Sequence, residues 1–162
     1  MRHNHWIFVI CSAFLTGSPV LLAQNETVET LLKSYSAIQH SLAGDKVTEA
    51  QTLAQKALNE ITEASNSAEK GQVESLKKME LGTQQLAQSK SDGDSRKAFG
   101  LYSEGTVSLI RANETSKAKW QLFYCPMVPK GTYGYWVQPK GEGLLNPYYG
   151  AKMLTCGVKR PW

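Results

Sequence analysis

Four sulfur atoms stand in two short segments near the C-terminus of the 162-residue chain. Cys125-Pro-Met127 and Met153-Leu-Thr-Cys156 bring two thiols and two thioethers into a stretch that has no histidine and no paired carboxylates. Thiolate and thioether are soft donors, matched to Cu(I) or Ag(I) rather than to magnesium or calcium. Zinc usually takes four Cys or His ligands, and the pair Cys125 and Cys156 falls short of that. In Cys125-x-Met127 the intervening proline fixes the backbone, and an extended segment would point both sulfurs the same way. In Met153-x-x-Cys156 a single turn places positions three apart on one face.

The same residues admit a reading without metal. A Cys125–Cys156 disulfide would close a loop of roughly 30 residues and stabilise the fold by about 3–4 kcal/mol in the chain-entropy model. Met127 and Met153 would then be core fillers, as most methionines are. The two fates exclude each other, since a disulfide cannot hold Cu(I) as two thiolates do. A thiol oxidoreductase would ordinarily use Cys-x-x-Cys, which is absent.

Other chemistry finds little support. His40 lies off the apolar stripe of its helix and reads as a surface side chain. Beyond residue 23 it is the sole histidine, so no serine–histidine–acid set can form, and the chain reads as non-enzymatic. Gly131, Gly134, Gly141 and Gly143 do not open a helix as a phosphate loop does. Asn25-Glu-Thr27 and Asn113-Glu-Thr115 match the glycosylation sequon, a short pattern that often arises by chance.

The elements that must position the sulfurs divide at about residue 120. From Glu26 to Lys119 there is neither proline nor cysteine, and the apolar residues fall on helical stripes. Val28, Leu31, Leu32, Tyr35, Ile38 and Leu42 form the first, ended by Gly44. Asp45 is placed to N-cap the second, which runs through Val47, Ala50, Ala54, Ala57, Leu58 and Ile61. A third uses Val73, Leu76, Met79, Thr83 and Leu86, weakened by Gly71 and Gly82. A fourth uses Phe99, Tyr102, Thr106, Leu109 and Ile110. Four such helices with short connections predict a mainly α fold, an antiparallel four-helix bundle over residues 24–119.

Residues 120–162 hold every proline but Pro19 and every tryptophan but Trp6. Trp120–Tyr124 and Tyr133–Val137 read as short strands joined through a Pro129-Lys-Gly-Thr132 turn, and Asn146-Pro147 reads as a turn initiator. So short a stretch cannot build a large core alone. It is expected to pack on the bundle as a Cys-, Met- and aromatic-rich cap of short strands and loops.

The N-terminus carries a different signal. Arg2, His3 and His5 precede an apolar run from Trp6 to Leu15, which Thr16-Gly-Ser-Pro19 breaks before Leu22-Ala23. That pattern describes a secretory signal peptide over residues 1–23, with an uncleaved anchor from Trp6 to Ala23 as the alternative. Removal of 1–23 lowers the formal charge from +4 to +3 and leaves Cys125 and Cys156 as the remaining cysteines. The positive balance then sits in the cap, where five basic side chains face Glu142 alone. Export implies an oxidising compartment, the periplasm in a bacterium, and so mild a charge gives no case for nucleic acid.

Several of these segments resemble a bacterial exported domain family of unknown function. It occurs alone or fused to periplasmic adaptor subunits of heavy-metal efflux pumps of the resistance–nodulation–division type. Similar are Tyr35 to Ala57 in outline, Arg96-Lys-Ala-Phe99 with Ser103, Tyr124-Cys-Pro-Met127 and Gly134-Tyr-Trp136. So are Asn146-Pro-Tyr-Tyr-Gly150 and Lys152-Met-Leu-Thr-Cys-Gly157. The resemblance implies a helical bundle with a Cys/Met-containing cap and a role in copper or silver handling, through Cys125, Met127, Met153 and Cys156. The expectation is therefore an exported Cu(I)- or Ag(I)-binding protein, partnered by an efflux pump or another periplasmic protein. A disulfide-stapled interaction module without metal is the alternative.

Overall fold

In the computed structural model, residues 19–162 are described, with side chains from Asn25 onward. Most of the expected signal peptide lies outside those residues. Five helices lead into a small sheet: α1 Pro19–Ala43, α2 Val47–Asn66, α3 Val73–Ala87, α4 Asp92–Arg111 and the short α5 Glu114–Lys119. Strands β1 Trp120–Tyr124 and β2 Tyr135–Pro139 follow, then a 3-10 turn at Gly150–Met153 and β3 Val158–Arg160. The protein is mainly helical with a three-stranded antiparallel sheet at its C-terminus. Among the described residues no helix is long and apolar enough to cross a membrane.

Most of the apolar stripe positions are buried, with Val73 exposed at the start of α3 and Val47 and Leu58 of α2 half-buried. Leu31, Leu32, Tyr35, Ile38 and Leu42 of α1 are buried, as are Ala50, Ala54, Ala57 and Ile61 of α2. Each long helix packs on the next in sequence, α1 on α2, α2 on α3 and α3 on α4. The α3–α4 contact is so close that it requires glycine. A Cβ on Gly82 would lie 2.2 Å from the Tyr102 backbone N, and one on Gly105 would lie 2.5 Å from the Ser75 carbonyl O. Gly82, which weakens the α3 stripe in propensity terms, is there because the neighbouring backbone takes the place of its side chain.

Helix starts are only partly as expected. Ser91 caps α4, accepting from the Asp94 N–H at 3.1 Å, and Asp92 and Asp94 supply negative charge to the first turn. Asn113 caps α5, its side chain accepting from the Ser116 N–H at 2.9 Å. Asp45 does not cap α2. The N-cap position falls on Lys46, without a side-chain cap bond, and Asp45 takes a left-handed backbone conformation with φ 58°. Its carboxylate is drawn instead to Arg96 and the Ala151 N–H.

The sheet order is β2-β1-β3, both pairs antiparallel. β1 has the expected bounds, but β2 begins two residues later than Tyr133. Phe123 faces Trp136 across the β1–β2 ladder and stacks on it with ring centroids 5.3 Å apart, while Leu122 faces Val137. All four are buried, so the sheet is covered on both faces.

The helices complete the outer edge of β2, which no strand pairs. The Val137 N–H donates to Tyr35 Oη at 3.3 Å, Tyr35 lies 2.7 Å from Ser103 Oγ, and Ser103 donates to the Tyr135 carbonyl at 2.8 Å. Because Ser103 already donates to Tyr135, the Tyr35 hydroxyl donates to Ser103. Burial pushes the Tyr35 phenol well above its ordinary value, so it keeps the proton this relay uses. Tyr148 Oη adds a bond of 2.7 Å to the same Tyr135 carbonyl. An edge that could recruit another chain is thereby closed by side chains.

A second tie centres on Arg96, largely buried in α4. Its guanidinium donates to the carbonyls of Leu42 at 3.0 Å and Pro147 at 2.7 Å, to Asp45 at 2.7 Å and to Asp92 at 2.8 Å. One side chain thus joins the end of α1, the α1–α2 connection, the start of α4 and the loop before the 3-10 turn. Gln39 Nε2 donates to the Leu145 carbonyl at 2.6 Å, and exposed His40 pairs with Glu142 at 3.0 Å.

Candidate functional site

The end of β1 and the start of β3 bring the two cysteines together. The register pairs Tyr124 with Val158, so Cys125 and Cys156 lie just past the same end of the sheet on neighbouring strands. The Cys125 N–H donates to the Gly134 carbonyl at 2.9 Å, carrying the β1–β2 pairing one step further. Gly134 must approach closely, for a Cβ there would lie 2.9 Å from the Cys125 carbonyl O. Gly157 is equally constrained: a Cβ would lie 2.5 Å from Cη2 of Trp136, the buried ring beside the site. Each cysteine therefore sits next to a backbone position whose packing suits glycine.

Cys125 is fully buried and Cys156 partly exposed, and both are free thiols. One nitrogen of Asn146 reaches the Cys125 sulfur and the Cys156 carbonyl, which sets the two residues side by side. Burial pushes the Cys156 thiol up from its ordinary range, and the neighbouring Cys125 pushes it the same way through charge and a hydrogen bond. At neutral pH Cys156 therefore holds its proton, and a metal would have to displace it.

Asn146, fully buried, joins the Cys125 thiol to the Cys156 backbone. Its Nδ2 lies 3.3 Å from Cys125 Sγ and donates to the Cys156 carbonyl at 2.6 Å. Its Oδ1 accepts from the Tyr148 N–H at 2.7 Å. The backbone of the same residue donates to Leu154 O at 2.7 Å and accepts from Gly150 N at 3.2 Å, while Cys156 N donates to Met153 O at 2.9 Å. The segment from 146 to 156 is thus folded on itself around one asparagine.

The methionines are on the surface. Met127 is 53% and Met153 37% exposed, whereas Met79 in α3 is fully buried. The expectation that Met127 and Met153 fill a core does not hold, because neither is enclosed. Tyr149 Oη donates to the Met127 carbonyl, which links the Cys125–Met127 segment to the start of the turn that bears Met153. Among the described residues no three His, Cys, Asp or Glu side chains converge as a metal-holding group. A groove of about 600 Å³ runs nearby, between Asp45 and Lys97 on the helices and Pro129, Tyr149 and Lys152 on the cap, and neither cysteine lines it.

Of the four sulfur residues expected to act together, the fold brings Cys125 and Cys156 to one asparagine side chain and leaves Met127 and Met153 exposed in the adjoining segments. Asn146 was legible only as the start of an Asn-Pro turn, and nothing in the sequence signalled its bridging position. Arg96, Phe99, Ser103 and Tyr148 belong to the docking of the cap on the helices, with Phe99 packing edge-on against Tyr148 at 5.7 Å. No family model, curated protein or solved structure matches this chain.

Proposed function

We propose that the chain is an exported protein that binds Cu(I) or Ag(I) through Cys125, Cys156, Met127 and Met153. It serves copper handling or resistance without catalysing a reaction. The observation that carries this reading is the contrast among sulfurs. Two free cysteines are held by one asparagine nitrogen at one end of the sheet, and two thioethers within three residues of them are exposed. Met127 and Met153 are only partly covered, and soft donors beside two cysteines suit a thiophilic ion. A partly exposed donor set also permits ligand exchange, which delivery to an efflux pump or other periplasmic partner requires. The scaffold in this reading is an antiparallel four-helix bundle, supported by sequential helix packing across short connections. Export rests on the N-terminal pattern of a basic start and a short apolar run.

The test is a competition titration of reduced protein with Cu(I) against a chromogenic chelator. Wild type is expected to bind tightly, Cys125→Ser to lose most of its affinity and Met153→Leu to lose part of it. Equal affinity in all three would sink the four-sulfur site. The placement of both cysteines on Asn146 also favours the second reading, a disulfide-stapled interaction module. Mass spectrometry of the exported protein separates the two. A complete Cys125–Cys156 disulfide that persists in copper-exposed cells supports the staple, and thiols recovered with bound copper support the metal site.

A further inference from the structure

The four-sulfur reading leaves open how one thiol can be wholly buried and still serve as a ligand, and Asn146 answers that question. Its side chain has two N–H donors and one carbonyl acceptor, and every one is used. One donor faces Cys125 Sγ at 3.3 Å, a distance suited to a sulfur acceptor, and the Cys156 carbonyl accepts from the same nitrogen at 2.6 Å. The carbonyl oxygen accepts from the Tyr148 N–H at 2.7 Å. Rotating the amide by half a turn would set oxygen against the Cys156 carbonyl and nitrogen against the Tyr148 N–H, two repulsive contacts in place of two bonds. The partners themselves therefore fix the amide's orientation.

An N–H donor bonds weakly to a neutral thiol and more strongly to a sulfur carrying negative charge. Hydrogen bonds that orient a metal's ligands commonly set how well those ligands hold it. The buried Tyr148 phenol near Cys125 offers no such help, because its hydroxyl is committed to the Tyr135 carbonyl.

We infer that Asn146 is the positioning residue of the dithiol: its amide holds the buried Cys125 sulfur for use as a ligand and clamps the Cys156 backbone beside it. This rests on the four-sulfur reading for its purpose, but the hydrogen bond itself can be measured without metal. Asn146 makes no contact with the ion in this account. It acts through Cys125 and is distinct from the four sulfur residues.

The experiment has two arms. In the metal-free, reduced protein, NMR of the Asn146 side-chain amide is compared between wild type and Cys125→Ser. One amide proton is expected to shift while the other, bonded to the Cys156 carbonyl, stays in place. If neither proton responds, the Asn146–Cys125 bond does not exist and the inference is overturned. In the second arm, Cu(I) affinity is measured for wild type, Asn146→Asp, Cys125→Ser and the double variant. Aspartate keeps the acceptor for Tyr148 and removes both donors. Asn146→Asp is expected to lose about tenfold in affinity with Cys125 present and little further once Cys125 is gone, the pattern of two coupled sites. The same loss in both backgrounds would mean a general structural effect and would overturn the positioning role. If wild type binds no Cu(I) while the amide proton still responds to Cys125→Ser, the metal reading fails and the hydrogen bond stands. If Asn146→Asp disturbs the fold, the NMR arm still decides, because it leaves Asn146 unaltered.

Discussion

The helical region and the cap hold together by different means. In the helices apolar stripes supply most of the packing, and buried threonines bond locally, as Thr83 does to the Met79 carbonyl and Thr106 to that of Tyr102. In the cap polar contacts carry more of the load, several of them reaching across from the helices. The edge of β2 is closed by Tyr35, Ser103 and Tyr148, and the loop before the 3-10 turn is held by Arg96. Buried Gln138 takes both the Trp136 indole N–H and the Leu145 N–H on one oxygen. The methionines follow the same division, with Met79 packed in the core and Met127 and Met153 left on the surface. Where side chains serve packing, the fold encloses them; where large apolar side chains stay exposed beside free thiols, they are available for something other than packing.

The comparison breaks most severely in the helices. Gly82→Ala would drive a methyl group into the Tyr102 backbone, which cannot move aside as a flexible side chain could. A loss of about 3 kcal/mol or more is expected in urea unfolding, with the whole chain destabilised. An alanine variant as stable as wild type would mean that α3 and α4 are not in such close contact.

Arg96→Ala is next, at roughly 2–3 kcal/mol, since it strips the donor from two buried carbonyls. Here the cap should loosen before the helices unfold, seen as a Trp136 fluorescence transition preceding the loss of helical circular dichroism. Coincident transitions would show that the two regions unfold as one. Ser103→Ala should cost about 1–2 kcal/mol, because Tyr35 and the Tyr135 carbonyl each lose a buried partner.

Smallest in stability, and largest in function, is Cys156→Ser. This partly exposed side chain should change stability by less than about 1 kcal/mol while sharply reducing Cu(I) affinity. The pH dependence follows from the same residue. Its thiol is raised, so at neutral pH each binding event must expel its proton, and affinity should increase with pH by up to about tenfold per unit for each proton released. Affinity independent of pH between 6 and 8 (a window of about two units) would rule out thiol displacement.

The helices were legible because their stripes repeat at the helical period over long stretches, and every stripe residue of α1 and α4 is buried, though α4 also buries Arg96, Ser103 and Val107, which its stripe left out. β1 was legible from its apolar and aromatic run. β2 starts late because Gly134 belongs to the close approach beside Cys125, so the pairing past Tyr124 runs through that glycine rather than through Tyr133. β3 was not legible: Val158-Lys-Arg160 is too short to alternate, and all three side chains are exposed. Without β3 the expectation that Cys125 and Cys156 come together rested on their being the two cysteines beyond residue 23, not on any strand pairing. Asp45 followed the usual preference for an N-cap, but a partner distant in sequence, Arg96, won its carboxylate. Asn146 illustrates the general limit. Its residue type suggested a turn, and its role depends on three segments that meet only in the folded chain.

The central claim is that a soft metal ion is held by sulfur alone in the cap. Copper K-edge X-ray absorption of the reduced protein loaded with one equivalent of Cu(I) tests it most directly. A first shell made only of sulfur, losing scatterers in Met127→Leu and Met153→Leu, is the predicted result. A shell containing nitrogen or oxygen, or one unchanged by both methionine substitutions, would contradict the account.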